Sequence, residues 1–301
     1  MSLGLSKKLT HKTHPVTSLE NLRGRVARLL LQPPKRSTRA GQLALDLPET
    51  FRREDSINVP AKSIASFLDF LTDALPDGDI YLFGGVLRDL ALLGGKGFNS
   101  DIDIVVEGEW SSCSNYLDHL GAHRNKFGGY RLKVATWDVD VWSARETWAI
   151  KEGIVPYRGI ASLTETTVLN WDAILMNWRT RAFIFRHGYF EEMQSRLLDI
   201  VLEKNPNPAG MVVRVFRQLC LKYAKSVTSK ALTYLADSTA TYSLKELTDS
   251  ELRSYGKSII DPAMYRFFQH IKANEHLPIE RRIALAGELT KTELGEIPLL
   301  G

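Results

Sequence analysis

Apolar positions along this 301-residue chain change their period part-way, and that change sets the expected architecture. Leu19, Leu22, Val26, Leu29 and Leu30 follow helical spacing, and Pro33-Pro34 cannot continue a helix. Residues 35–59 are polar and irregular and read as a linker with one apolar patch, Leu43-Ala44-Leu45. Helical spacing returns at Ile64, Phe67, Leu68 and Leu71, and Pro76-Asp77-Gly78 breaks it. The apolar run 80–83 predicts a short buried strand, and 86–93 a helix stopped by Gly94-Gly95. A second strand is expected over 101–106 and a helix over 111–120. Two further strands are expected over 130–134 and 139–142, turned near Thr136, with another at 183–185. After Phe190 the period becomes helical, over 193–202, 211–223, 231–235, 244–252, 263–271 and 281–289. No internal repeat is visible. The pattern predicts an α+β protein: a mixed sheet with flanking helices over 60–190, an all-helical part over 191–301, and an arm and linker over 1–59.

Composition narrows the class. Hydrophobic residues make up 44% and charged residues 25%, ordinary for a globular protein, and no apolar run is long enough to span a bilayer. Lys7 and Lys8 are not followed by an apolar core, so no secretory leader is expected. Cys113 and Cys220 stand far apart, which fits free thiols in a reducing cytoplasm rather than a disulfide framework or a structural zinc site. None of the seven histidines has a partner at zinc-ligand spacing. Basic residues concentrate at the start: Lys7, Lys8, Lys12, Arg23, Arg25, Arg28, Lys35, Arg36 and Arg39, against Glu20 alone. That arm suits contact with a polyanion such as RNA, and equally suits a solvated tail; composition leaves both open.

The chemistry-bearing stretch is Tyr81-Leu82-Phe83-Gly84-Gly85-Val86-Leu87-Arg88-Asp89, followed by Ser100-Asp101-Ile102-Asp103-Ile104. An apolar strand breaks at two glycines and resumes as a helix. Asp101 and Asp103, two apart at the mouth of a strand, share one face. Such a carboxylate pair holds divalent cations, while bare glycine amides at a helix N-terminus receive phosphate. The set fits metal-assisted phosphoryl or nucleotidyl transfer. Each element alone has a plainer explanation, a tight turn or a solvated strand end, and only their order makes them informative.

The string Phe83 to Asp89, then Phe98-Asn99-Ser100-Asp101-Ile102-Asp103-Ile104-Val105, resembles the head domain of class II tRNA CCA-adding enzymes and bacterial poly(A) polymerases, which are DNA polymerase β-like nucleotidyltransferases. Downstream, Trp137-Asp138-Val139-Asp140-Val141-Trp142-Ser143-Ala144-Arg145-Glu146 is similar to the family strand that carries an acidic residue and ends in Arg-Glu. Asp140 falls on the acidic position, with Asp138 on the same face as its competitor, and Arg145 on the strand-end arginine. Asn170-Trp171-Asp172-Ala173-Ile174-Leu175-Met176-Asn177 resembles a nucleotide-holding segment. Asp172 is kept there, but Asn170 and Trp171 replace two arginines. Residues 188–201 resemble the strand-turn-helix that closes the head. Val213-Arg214-Val215-Phe216-Arg217 resembles the arginine-bearing helix beyond it, without the Glu-Asp pair that selects the base; Gly210 and Met211 stand in that stretch. The resemblance runs from about Pro60 to Ser226 and is densest between Gly84 and Asp103.

The resemblance implies a nucleotidyltransferase. Asp101 and Asp103 hold two divalent ions, Mg2+ or Mn2+, and Asp140 is the third catalytic carboxylate. Gly84 and Gly85 admit the triphosphate. Arg88 holds phosphate or orients the carboxylates, and Asp89 buttresses the turn or meets a ribose hydroxyl. Arg145, Asp172, Arg214 and Arg217 contact nucleotide or phosphate, and Trp171 either stacks on a base or sits in the core. An NTP is the substrate, the acceptor an RNA 3′ end, tRNA foremost, and no membrane is involved. The departures from the family pattern leave two competing functions. One is a catalytically silent RNA-binding or interaction module, favoured by the altered 170–177 segment and the missing Glu-Asp. The other is a toxin or defence nucleotidyltransferase acting on tRNA or a protein hydroxyl. Retention of both Asp101 and Asp103 opposes silence, because adjacent carboxylates without a cation repel.

Overall fold

The strands expected from the apolar runs pair into one seven-stranded mixed sheet. The computed structural model describes residues 12–31, 57–59, 61–98, 100–125, 127–135, 137–221, 223–290 and 299–300. The protein is α+β, and its contacts divide it into two compact units. One comprises residues 14–166 and 172–187 and carries the large sheet. The other takes in the described residues 12–13, 167–171 and those from 188 onward, and is mostly helical.

In the sheet unit the chain runs α1 (Leu19–Leu30), β1 (Ile57–Val59), α2 (Ile64–Ala74), β2 (Asp79–Phe83), α3 (Gly85–Leu92), β3 (Ile102–Glu107), α4 (Trp110–His119), β4 (Tyr130–Val134), β5 (Trp137–Ser143), α5 (Trp148–Lys151), β6 (Ile174–Asn177) and β7 (Phe183–Phe185). The strand order is β1-β4-β5-β3-β2-β6-β7. β1 with β4 and β3 with β5 are parallel, and every other neighbouring pair is antiparallel. Strand alternation gives the sheet two unlike faces. Ile80, Leu82, Ile102, Ile104, Val106, Leu132, Val139 and Val141 share one face by register and are all buried. On the other face Tyr81, Phe83, Val105 and Leu175 form a core with Ala144 and Leu163. That same face carries the charged residues Asp103, Asp140 and Arg131.

α2, α3 and α4 pack on the central strands. Ser63 caps α2 through a reciprocal bond with Ser66, which supplies partners for otherwise orphaned amides. α3 is buried along every residue from Gly85 to Leu92. A helix buried all round must pair any charge it carries, so Arg88 and Asp89 cannot be mere surface residues. α1, in the stretch expected as an arm, packs on α3. Arg25 Nη1 donates to the carbonyls of Leu90 (2.8 Å) and Ala91 (3.2 Å), the C-terminal end of α3, where a cation suits the helix dipole. Arg23 donates to Arg181 O and lies over the Phe183 ring. These two arginines of the basic segment therefore contact the rest of the sheet unit, Arg23 while also pairing with Glu20. Lys7, Lys8, Lys35, Arg36 and Arg39, with Pro33-Pro34, lie outside the described residues.

The other unit runs α6 (Tyr189–Ser195), β8 (Leu197–Leu198), α7 (Pro208–Cys220), β9 (Ser226–Val227), α8 (Ser229–Thr241), α9 (Leu244–Tyr255), α10 (Pro262–Ala273), α11 (Ile279–Thr290) and β10 (Leu299–Leu300). Its core is aromatic: Phe216 meets Phe268 edge-on at 5.6 Å, and Phe268 meets Phe267 at 5.3 Å. Among the described residues no helix is long and apolar enough to cross a membrane.

Short elements such as α5, β9 and β10 are not among those expected, and three further differences have a local reason. β1 lies inside the stretch expected as linker, because three residues next to Pro60 carry too little pattern to register. β6 falls within the 170–177 motif, where no strand is expected, although all four of its residues are buried. The helix expected over 193–202 is instead α6, which ends where Arg196 takes a left-handed conformation (φ 60°). Leu197 and Leu198 then extend. Arg196 O accepts from Lys225 N (3.0 Å) and Leu198 O from Thr228 N (3.0 Å), so sheet pairing with the β9 region overrides the helical spacing.

Candidate active site

The glycine turn is built as its sequence suggests. Gly84 sits at φ 61°, ψ −115°, a conformation that costs any residue with a Cβ. Its amide donates to Ile174 O at 3.0 Å and its carbonyl accepts from Arg88 N at 2.9 Å, so it both ends β2 and starts α3. A Cβ on Gly85 would meet Ser100 at 3.2 Å from Oγ and 3.3 Å from Cβ. The second glycine thus lets the residue preceding Asp101 lie directly on the turn.

Arg88 ties the turn to its surroundings. Its guanidinium donates to Asp89 Oδ1 (2.9 Å from Nε), to Asp172 Oδ1 (2.5 Å from Nη1) and to Ser100 Oγ (3.0 Å from Nη2). Ser100 Oγ in turn donates to Asp89 Oδ2 at 2.6 Å. Arg88, Asp89 and Asp172 are all buried. Burial by itself would lower the guanidinium pKa, but the charges of Asp172 and then Asp89 outweigh it, and the net direction is upward. Arg88 is therefore a fixed cation inside the protein. Of the two roles expected for it, this geometry serves orientation, because Arg88 reaches Ser100, and Ser100 leads directly into Asp101.

The carboxylates lie on the sheet face that also carries Tyr81 and Phe83. Asp103 and Asp140 are direct partners across the parallel β3–β5 pair, and Asp101 precedes Asp103 by two. Arg131 is the antiparallel partner of Asp140. It grips Asp140 with a fork, Nε to Oδ1 at 2.8 Å and Nη2 to Oδ2 at 2.5 Å, and the same Nη2 reaches Asp101 Oδ2 at 3.1 Å. The Asp140 hydrogen bonds raise the Arg131 pKa most; burial opposes, and the Asp140, Asp101 and Asp138 charges add to the rise. Asp138, the competitor to Asp140, lies 3.9 Å from Lys133 Nζ. Among the described residues no group of three or more His, Cys, Asp or Glu is placed to hold a metal ion. A divalent ion such as Mg2+ needs only one or two protein carboxylates, with phosphate oxygens and water completing its shell. Asp101 and Asp103, hard oxygen donors on one strand face, fit that requirement.

The remaining expected site residues separate. Arg145 is exposed, with its guanidinium 4.6 Å from the Tyr157 ring centre. Tyr157 donates to Glu107 Oε1 at 2.6 Å and Tyr81 to Glu107 Oε2 at 3.4 Å, and burial followed by the Glu107 contact raises the Tyr157 pKa. Trp171 is fully buried with Nε1 donating to Leu197 O at 2.8 Å, which corrects the base-stacking alternative: it is a core residue. Asn170 donates to Glu192 Oε2 and Leu197 O and accepts from Asp199 N, so it ties backbone segments together. Arg214 and Arg217 lie on α7, in the helical unit. Arg217 donates to Glu251 Oε1 at 2.5 Å, and its guanidinium sits 3.9 Å from the Tyr255 ring centre. Glu251 is fully buried and also accepts from Ser258 Oγ, Ile259 N and Ile260 N. The expectation for Arg217 is phosphate binding or a surface pair; it pairs, but inside the unit. Ser100, Arg131 and the Glu107–Tyr157 pair do not stand out in the sequence. Only the alternation of Arg131 and Lys133 with Tyr130, Leu132 and Val134 hints at one charged face of β4.

No protein-family profile and no curated protein matches the chain. Solved structures do. A tRNA-processing enzyme complex aligns at 14% identity and a TM-score of 0.45, over 74% of this chain and 56% of that one. A CCA-adding enzyme with CTP aligns at 15% and 0.45, over 77% and 59%. The Thermotoga maritima CCA-adding enzyme complexed with tRNA aligns at 12% and 0.44, over 77% and 65%. The structures it resembles are CCA-adding and tRNA-processing enzymes. The matched stretch covers less than two thirds of each of these chains.

Proposed function

We propose that the protein is a metal-dependent nucleotidyltransferase that moves a nucleoside monophosphate from an NTP to an acceptor hydroxyl, with the 3′ end of an RNA, tRNA foremost, as acceptor. The observation that carries this reading is the placement of Asp103 directly beside Asp140, with Asp101 two residues away, on one sheet face at the mouth of a strand whose lead-in lies on a glycine turn. Asp101 and Asp103 would hold the divalent ion. When bound, that ion supplies charge neutralisation for the triphosphate and lowers the pKa of an attacking hydroxyl.

The chain's own residues do the positioning. Gly84 and Gly85 keep the turn free of side chains, and no side chain caps the amides at the start of α3, a helix end that suits phosphate. Arg88, locked to Asp89 and Asp172, fixes Ser100 and through it the direction in which Asp101 leaves the turn. Preorganised charge of this kind needs no rearrangement when the reaction occurs. The experiment is calorimetric titration with each NTP in the presence and absence of Mg2+. Binding that requires Mg2+ and disappears in Asp103→Asn, with the variant's circular dichroism unchanged, is the expected result. Metal-independent binding, or binding retained by Asp103→Asn, overturns the assignment. Absence of any NTP binding favours the interaction module.

A further inference from the structure

The arginines expected to meet the triphosphate are engaged elsewhere. Arg88 is 10% exposed at the side chain and tied to Asp89, Asp172 and Ser100, so it orients and does not move. Arg145 lies over the Tyr157 ring. Arg214 and Arg217 belong to the other unit, where Arg217 pairs with buried Glu251. Arg131 is placed differently. Its side chain is 35% exposed, which leaves it solvent to swing through. Register puts Arg131, Asp140 and Asp103 in one row across β4, β5 and β3. Its fork holds both oxygens of Asp140, and Nη2 also reaches Asp101 Oδ2 at 3.1 Å. Asp101 follows Ser100, whose Oγ donates to Gly85 O at 3.2 Å, so the guanidinium reaches the residue next to the one packed on the glycine turn.

A planar guanidinium forks a phosphate as readily as a carboxylate and keeps its charge at any physiological pH. A divalent ion carried by Asp101 either takes the oxygen that Nη2 holds or sits beside the guanidinium, so the two cations compete for the same anions. Drawn off Asp101 and Asp140, Arg131 loses its charge-assisted partners, and a triphosphate at the glycine turn offers new ones. We propose that Arg131 is a movable cation: it clamps Asp101 to Asp140 in the absence of substrate, and passes its fork to the phosphates of the incoming NTP when the metal is loaded. It is then a substrate-binding residue whose release makes room for the ion. The inference rests on the nucleotidyl-transfer function proposed above and adds a residue to its substrate site.

Such a residue gives two effects of opposite sign when it is removed, which a purely structural role does not. The full chain is titrated with Mn2+ alone, with free ion read from its electron paramagnetic resonance signal. It is titrated separately with each NTP at saturating Mg2+ by calorimetry, so that the nucleotide affinity reads the phosphate contact. Arg131→Ala removes a competitor of the ion and is expected to bind Mn2+ more tightly, by about fivefold or more. The same variant is expected to bind NTP about ten- to hundredfold more weakly, the loss of a hydrogen bond to a charged group. Arg131→Gln serves if circular dichroism shows that the alanine variant does not fold. Lys133→Ala removes a positive charge from the same strand beside Asp138 and is expected to change neither affinity. Any other combination of the two changes in the Arg131 variant overturns the proposal, while Mg2+-dependent NTP binding by the wild type leaves the nucleotidyltransferase reading intact. The opposite-signed pattern in Lys133→Ala overturns it as well, because the effect is then one of general charge. No Mg2+-dependent NTP binding by the wild type overturns both together.

Discussion

Removing the Arg88 charge is the severest single change that the geometry of the sheet unit identifies. In Arg88→Met the aliphatic stem keeps its volume, but Asp89 and Asp172 lose their shared cation. Those carboxylates are 8% and 7% exposed at the side chain, and Arg88 itself 10%, so the small values typical of surface ion pairs do not apply. Breaking a buried pair by deleting one partner costs about 3–5 kcal/mol, because the remaining charge stays desolvated. Set against the roughly 5–15 kcal/mol that holds a domain together, the variant should be barely folded. The double variant Arg88→Met/Asp172→Asn removes one of the two carboxylates that lost the cation. It should therefore be more stable than the sum of the single changes by about 1–3 kcal/mol, the range for residues in one network. Urea denaturation gives the total. Hydrogen exchange at the β2 and β3 amides of Leu82 and Ile104 reports the sheet unit by itself. A cost below about 1 kcal/mol for Arg88→Met, in the range of an exposed pair, would refute the clamp. So would strict additivity in the cycle.

Other changes have equally definite outcomes. Gly84→Ala forces a Cβ into φ 61°, ψ −115° and should cost about 1–3 kcal/mol by urea denaturation; an unchanged midpoint contradicts the strain. Tyr157 has a raised pKa, so its phenol stays protonated and donates to Glu107 throughout the neutral range. That contribution is complete below the unfolded tyrosine value of about 10 and is lost as pH rises through the higher folded value. The advantage of wild type over Tyr157→Phe should accordingly be flat through neutral pH and shrink above about pH 10; a gap that widens there would invert the sign and refute it. Glu251→Gln leaves Arg217 buried without a counter-charge and should cost about 3–5 kcal/mol in a thermal melt of the helical unit. A loss under about 1 kcal/mol would mean the pair is exposed in solution.

Much of the fold is legible because it is written in local periodicity. Strands β2, β3, β4 and β5 and helices α2, α3 and α7 through α11 lie where apolar spacing places them. Expectation fails where non-local pairing decides. Leu197 and Leu198 continue a helical pattern, yet backbone bonds to the β9 region hold them extended. The candidate site divides the same way. Gly84, Gly85, Arg88, Asp89, Asp101 and Asp103 are contiguous enough to be noticed as a motif, and Asp140 is found by its similarity to a family strand. Arg131 shows in the sequence only as part of a charged face of β4, because its significance lies in the register that sets it opposite Asp140. Ser100 is silent, because a lone serine carries no signal until the absent Cβ of Gly85 explains the contact. Trp171 and Arg217 are residue types suited either to binding or to internal contacts, and only the fold decides: Trp171 takes the core place, one of its two expected readings, and Arg217 pairs with buried Glu251.

The most direct measurement is transfer itself. Purified protein is incubated with total RNA, Mg2+ and each NTP in turn, labelled at the α-phosphate, and the products are separated by size. The carboxylate site predicts label joined to an RNA 3′ end by the wild type and none by folded Asp101→Asn or Asp103→Asn. Label that persists in either variant, or fails to appear with any of the four nucleotides, would contradict it.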